Sequence, residues 1–154
     1  MKVKCVKNIL QNIEPLVLYK LEKARNENDE NDEYYVCSLD YYSIDQSTNG
    51  YALRKNSLYD VYGIMFFQSI FRYLVFVPDF SAPQWFPSEL FTVVDNRIPY
   101  NWHFREFTSN SETGKILGYK ELALNYSHLV GLMAQNANDI KVFLNAKKDT
   151  EYFT

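Results

Sequence analysis

The chain reads as an α+β domain, with a mostly antiparallel central sheet and a C-terminal helical segment packed on it. Three observations predict this. Fifteen of the 26 aromatic side chains fall between Tyr59 and Phe107, in β-branched text punctuated by turns. From Tyr119 onward the apolar spacing lengthens to the three or four residues of a helix. Strands therefore come first and helices last, without the strict alternation that builds a parallel sheet.

With 154 residues and 47% apolar content, a single domain over residues 1–154 can bury a substantial core. Lys2 to Val6 sets Val3 and Cys5 against Lys2 and Lys4, the alternation of a half-buried first strand. Glu14-Pro15 looks like a helix entrance, because proline at the first helical position has no N–H to lose. The spacing predicts a helix from there to about Arg25, with Val17, Leu21 and Ala24 on one face. Leu16-Val17-Leu18-Tyr19 fits a strand equally well. Residues 26–33 then form a loop, too polar and too self-repelling to pack.

Tyr34 to Ile44 is rich in Tyr, Val and Ile and stops at a Ser47–Gly50 turn, which predicts a strand. Leu58 to Phe67 is apolar on both parities, as a central strand covered on both faces would be. Gln68 to Phe71 makes the turn, and Tyr73 to Val77 returns as the antiparallel neighbour. Pro78, Pro83 and Pro87 each lack a ladder donor, so no regular pairing is expected among them. Phe91 to Val94 and Asn101 to Thr108 are the next strands, separated by the Asp95-Asn96 turn, and Ser109 to Gly114 is a hairpin-like loop. Gly63, inside a strand, marks a bulge or a close backbone approach, and Gly118 ends strand geometry. Tyr119 to Tyr126 is a short helix, Ser127 caps a second one through Met133, and Asn138 or Asp139 caps a third. Lys147 and Lys148 are placed near the end of that third helix, where its dipole favours cations.

Composition narrows the function classes. Cys5 and Cys37 supply neither a disulfide framework nor a paired metal-ligand spacing, which fits a reducing cytoplasm and no metal. No apolar signal region precedes Pro15, and Gln68 and Arg72 break the longest apolar run, so neither secretion nor a membrane partner is expected. No glycine loop, G-x-S-x-G, H-E-x-x-H or C-x-x-C appears, and so no cofactor and no catalytic residue is expected. The formal charge of −3 is concentrated in Glu27, Asp29, Glu30, Asp32 and Glu33. Sixteen bases and fourteen acids make up the rest, with no basic patch to suggest nucleic acid.

The acidic tract is the sharpest candidate site. Five carboxylates in seven positions create a local negative potential that attracts basic surfaces, and Tyr34 and Tyr35, good interface anchors, follow at once. The plainer reading is a solvated loop. Trp85-Phe86-Pro87 is either a rigid aromatic platform, which adds Trp85 to the partner-binding candidates, or a lid over the core, the commoner outcome for such a group. An alternative function is a small hydrolase using Asp79, Asp95 and His103, although aspartates at strand ends usually serve turns. His103 and His128 each read as structural or solvent-facing. A further alternative is a structural or regulatory module that associates with itself through exposed aromatics.

From Tyr59 onward the order of features carries a family resemblance. Tyr59-x-Val61-Tyr62-Gly63-Ile64, Tyr73-Leu74-Val75, Trp85-Phe86-Pro87-x-x-Leu90-Phe91-x-Val93-x-Asp95 and Trp102 come first. Gly118-Tyr119-Lys120-Glu121-Leu122 and Ile140-Lys141-Val142-Phe143 follow. This arrangement resembles the small bacterial immunity proteins of polymorphic-toxin systems, including contact-dependent growth inhibition. Its motifs are core and turn residues, which specify a fold better than a function, and the first fifty-odd residues lie outside it. The resemblance implies a catalytically inert protein that binds the C-terminal domain of a cognate toxin in the cytoplasm and neutralises it by occlusion. A nuclease is the implied toxin, basic because it must approach phosphates, with the acidic tract mimicking its substrate's charge.

Overall fold

Alternation builds the first strand as expected. In β1 (Lys2–Cys5) Val3 and Cys5 are fully buried and the lysines between them are half-buried. The Cys5 thiol donates to the Lys7 carbonyl at 3.4 Å, and burial raises its pKa above the ordinary thiol value. The computed structural model describes residues 1–7, 16–23, 33–41, 44–45, 50–51, 53–78, 80–109 and 111–152.

The helix expected after Pro15 is a strand. β2 (Leu16–Lys23) pairs antiparallel with β3 (Glu33–Tyr41), from Leu16↔Tyr41 to Lys23↔Glu33. Leu16 and Leu18, two residues apart, both enter the core, which a strand permits and a helical face at 17, 21 and 24 does not. A Tyr- and Val-rich partner strand outweighed the helix-entry signal of one proline. The predicted strand to Ile44 ends earlier, at Tyr41, and β4 (Ile44–Asp45) pairs instead with β5 (Gly50–Tyr51).

β6 (Leu58–Phe67) is the axis of the main sheet. Its first residues pair with β1, and its later ones with β7 (Ile70–Val75) on one side and β11 (Glu112–Gly118) on the other. β8 (Gln84–Pro87) adds to β7, β9 (Phe91–Asp95) to β1, and β10 (His103–Ser109) to β11. All these pairings are antiparallel, and together they make seven strands. Three expectations need correction here. The β6–β7 turn is only Gln68-Ser69, both with positive φ (55° and 62°), so β7 begins three residues earlier than its tyrosine suggested. A strand does form among the prolines, because Pro87 sits at the end of β8, on the side of the sheet where a missing donor costs little. The Ser109–Gly114 loop shrinks to two connecting residues, and Glu112 already belongs to β11.

Three helices close the chain: α1 (Lys120–Leu124), α2 (Tyr126–Met133) and α3 (Ala137–Tyr152). Asn125 caps α2 by accepting the His128 N–H at 3.3 Å, and Asn136 accepts the Asn138 N–H at 3.1 Å just ahead of α3. Ser127, Asn138 and Asp139 are therefore inside the helices they were expected to cap. Because α3 continues to Tyr152, Lys147 and Lys148 are not in its last turn, and the Lys147 ammonium instead lies 6.0 Å from the centre of the Phe76 ring.

The helices cover one face of the sheet. Leu122, Leu129, Leu132 and Phe143 pack there on Met65, Leu74, Trp85, Phe107 and Ile116. Gly63 and Gly118 are paired across β6 and β11, and a Cβ on either would stand 2.5 or 2.7 Å from Leu122 Cδ2. The two glycines thus make the seat for α1, and Gly63 also adjoins a register shift in the β6–β7 ladder. A second apolar cluster, with Val3, Val61, Val75, Phe86, Leu90 and Phe91, fills the β1–β9 end.

Candidate functional site

Of the sequence candidates, Glu27, Asp29, Glu30 and Asp32 lie outside the described residues. Glu33, expected in the loop, instead starts β3, and Tyr34 and Tyr35 follow it in that strand as expected, opposite Glu22 and Leu21. Trp85 is 2% exposed beside Gly63, so it belongs to the core and leaves the list of partner-binding residues. The lid reading of Trp85-Phe86-Pro87 is the correct one, since all three are buried.

The hydrolase trio does not assemble among the described residues. Asp79 lies outside them. Asp95 accepts from the Arg97 guanidinium at 2.6 and 2.9 Å, and those hydrogen bonds hold its carboxyl well below the usual carboxylate range. His103 Nδ1 sits 3.1 Å from the Asn101 carbonyl and lines a different groove, of about 450 Å³, with Tyr119, Glu121 and Asp149. No group of three metal-binding side chains occurs among the described residues.

One polar chain was not foreseen. His128 is 3% exposed, with Nδ1 2.8 Å from Asp139 Oδ1 and Nε2 2.7 Å from the Tyr119 hydroxyl. Both ring nitrogens are therefore hydrogen-bonded inside the core. Burial pushes the Tyr119 phenol far above its ordinary value. The chain ties the residue before α1 to α2 and α3. Asn125, which caps α2, places the imidazole one turn into that helix.

The uncovered face of the sheet carries the larger surface. Side chains directly opposite in a ladder share a face. One row runs Phe104, Leu117, Ile64, Tyr73, Phe86 across β10, β11, β6, β7 and β8, and its far end passes under the second apolar cluster, which holds Phe86 and takes Ile64 and Tyr73 at its margin. The next row is Glu106, Lys115, Phe66, Phe71. None of these positions faces the helices, whose side of the same strands holds Arg105, Ile116, Met65 and Arg72. Phe104 and Phe71 are 59% and 54% exposed, and Leu117, Ile64, Phe66 and Tyr73 are half-buried. The Phe66 and Phe71 rings are 4.7 Å apart at their centres. β6 is therefore buried on both faces only at its middle, Val61 to Gly63. Its later half corrects that expectation. Apolar runs in sequence mark both faces alike, so these phenylalanines read as core. The signal that separates them, cross-strand register, is not available without the fold.

Such a surface can hold another protein by apolar contact, with a small charged pair, Glu106 and Lys115, at its β10 edge. No helix among the described residues is long and apolar enough to cross a membrane. No protein-family model, curated protein or solved structure matches the chain.

Proposed function

We propose that this chain is a binding protein that neutralises a toxin domain in the cytoplasm by occluding it, with the open sheet face as its contact surface. The observation that carries the reading is the patch of Phe104, Leu117, Phe66 and Phe71 on the face away from the helices, with Phe104 and Phe71 exposed and the in-register Ile64 and Tyr73 bounding it against the second apolar cluster. Exposed aromatic side chains at that density are costly in water unless a partner uses them. The class of partner comes from the resemblance of the residues from Tyr59 onward to immunity proteins. The five acids between Glu27 and Glu33 add an attraction for a basic toxin surface, which speeds encounter more than it tightens the complex.

The test is co-expression with the toxin-like C-terminal product of the neighbouring reading frame. The two are expected to purify together, and the chain to protect growth. Phe71→Asp should weaken the complex by roughly thirtyfold or more, the loss typical of a central anchor. Replacing the five tract acids by Ser and Gln should slow association and flatten its salt dependence. No complex at micromolar concentration, together with no protection, would sink the reading.

A further inference from the structure

Resting on that reading, we propose that the partner docks by adding an extended strand to the free edge of β10. β10 pairs with β11 on one side, and among the described residues no strand pairs with its other side. Ser109 and Glu112 oppose each other across a two-residue connection. Ladder alternation from that pair turns the N–H and C=O of Phe107, Arg105 and His103 toward β11. Those of Phe104 and Glu106 consequently point outward. Both residues are exposed, and their side chains sit on the open face. β2 also approaches β10, and the outward groups used here are those of the exposed Phe104 and Glu106.

Charge selects the occupant. A second copy pairing antiparallel about Arg105 or Glu106 sets like charges opposite each other, and about Phe104 it sets Glu106 opposite Trp102, whose N–H already bonds the Pro99 carbonyl. A strand from a different protein avoids this. It should present an apolar side chain opposite Phe104, continuing the row to Leu117 and Ile64, and a basic one two residues away, opposite Glu106. Glu106 then lies between that base and Lys115, its neighbour in β11. A basic toxin domain supplies such a segment, and its backbone would satisfy the outward groups of the edge.

Glu106→Pro removes the outward N–H without touching the β11 ladder, and Glu106→Ala removes only the carboxylate. In the complex with the toxin domain, Glu106→Pro should bind about tenfold more weakly than Glu106→Ala, as the loss of an interchain hydrogen bond predicts. In the unaltered chain, hydrogen exchange at the Phe104 and Glu106 amides should slow on complex formation. A complex that forms with both amides exchanging as before, or with the two variants binding equally, overturns strand addition and leaves the binding reading standing. If the unaltered chain forms no complex, the binding reading fails first.

Discussion

The two faces of one sheet have opposite fates. On the helix side, Met65, Leu74, Ile116 and Phe107 are sealed under α1, α2 and α3. On the other, Phe66, Phe71 and Phe104 keep contact with water, although they alternate with those same core residues along the same strands. Apolar character alone therefore does not separate stability from recognition here. What separates them is what lies above: helices seal one face, and on the other the second apolar cluster buries Phe86 but stops short of Phe66, Phe71 and Phe104.

The sharpest way to test that contrast is to truncate one phenylalanine on each side. Phe143→Ala, in the sealed layer, should cost about 4 kcal/mol of unfolding free energy by denaturant titration. Phe104→Ala should change stability by under about 1 kcal/mol while weakening partner binding. Equal stability losses at the two sites would erase the distinction. His128→Ala, which orphans Tyr119 and Asp139 beneath the helices, should cost roughly 2–3 kcal/mol, and Tyr119→Phe about 1 kcal/mol. At the tip of the open face, Gln68→Asn with Ser69→Gly suits the two positive φ angles and should raise stability by about 1 kcal/mol. The smallest effect belongs to Asp95. Its folded pKa is depressed, so its contribution is present above the ordinary carboxylate value and fades as pH falls below it. In an NMR titration, Arg97→Ala should return the Asp95 carboxyl toward its ordinary range.

The α+β plan was legible because period changes are local. Val3 and Cys5 against two lysines gave β1, and Ile140 with Phe143 gave α3. β2 was misread because Pro15 speaks only for its own neighbourhood, whereas pairing with β3 is a long-range choice. Caps were misplaced by a few residues, since Asn125 and Asn136 compete with Ser127 and Asn138 in the same short stretches. The candidate surface was not legible. It depends on which parity of β6, β10 and β11 the helices happen to cover, and the glycine pair beneath Leu122 settles that in three dimensions. The side chain singled out in advance, Trp85, went to the sealed side.

Cys5 offers a consequence of its own. Its thiol closes β1, the four-residue strand joining β6 to β9, and burial both hides it and keeps it protonated. An alkylating reagent can therefore reach it only when that short stitch lets go. In a variant with Cys37 replaced by Ser, the labelling rate of this one sulfur becomes a clock for how often the sheet parts at its seam.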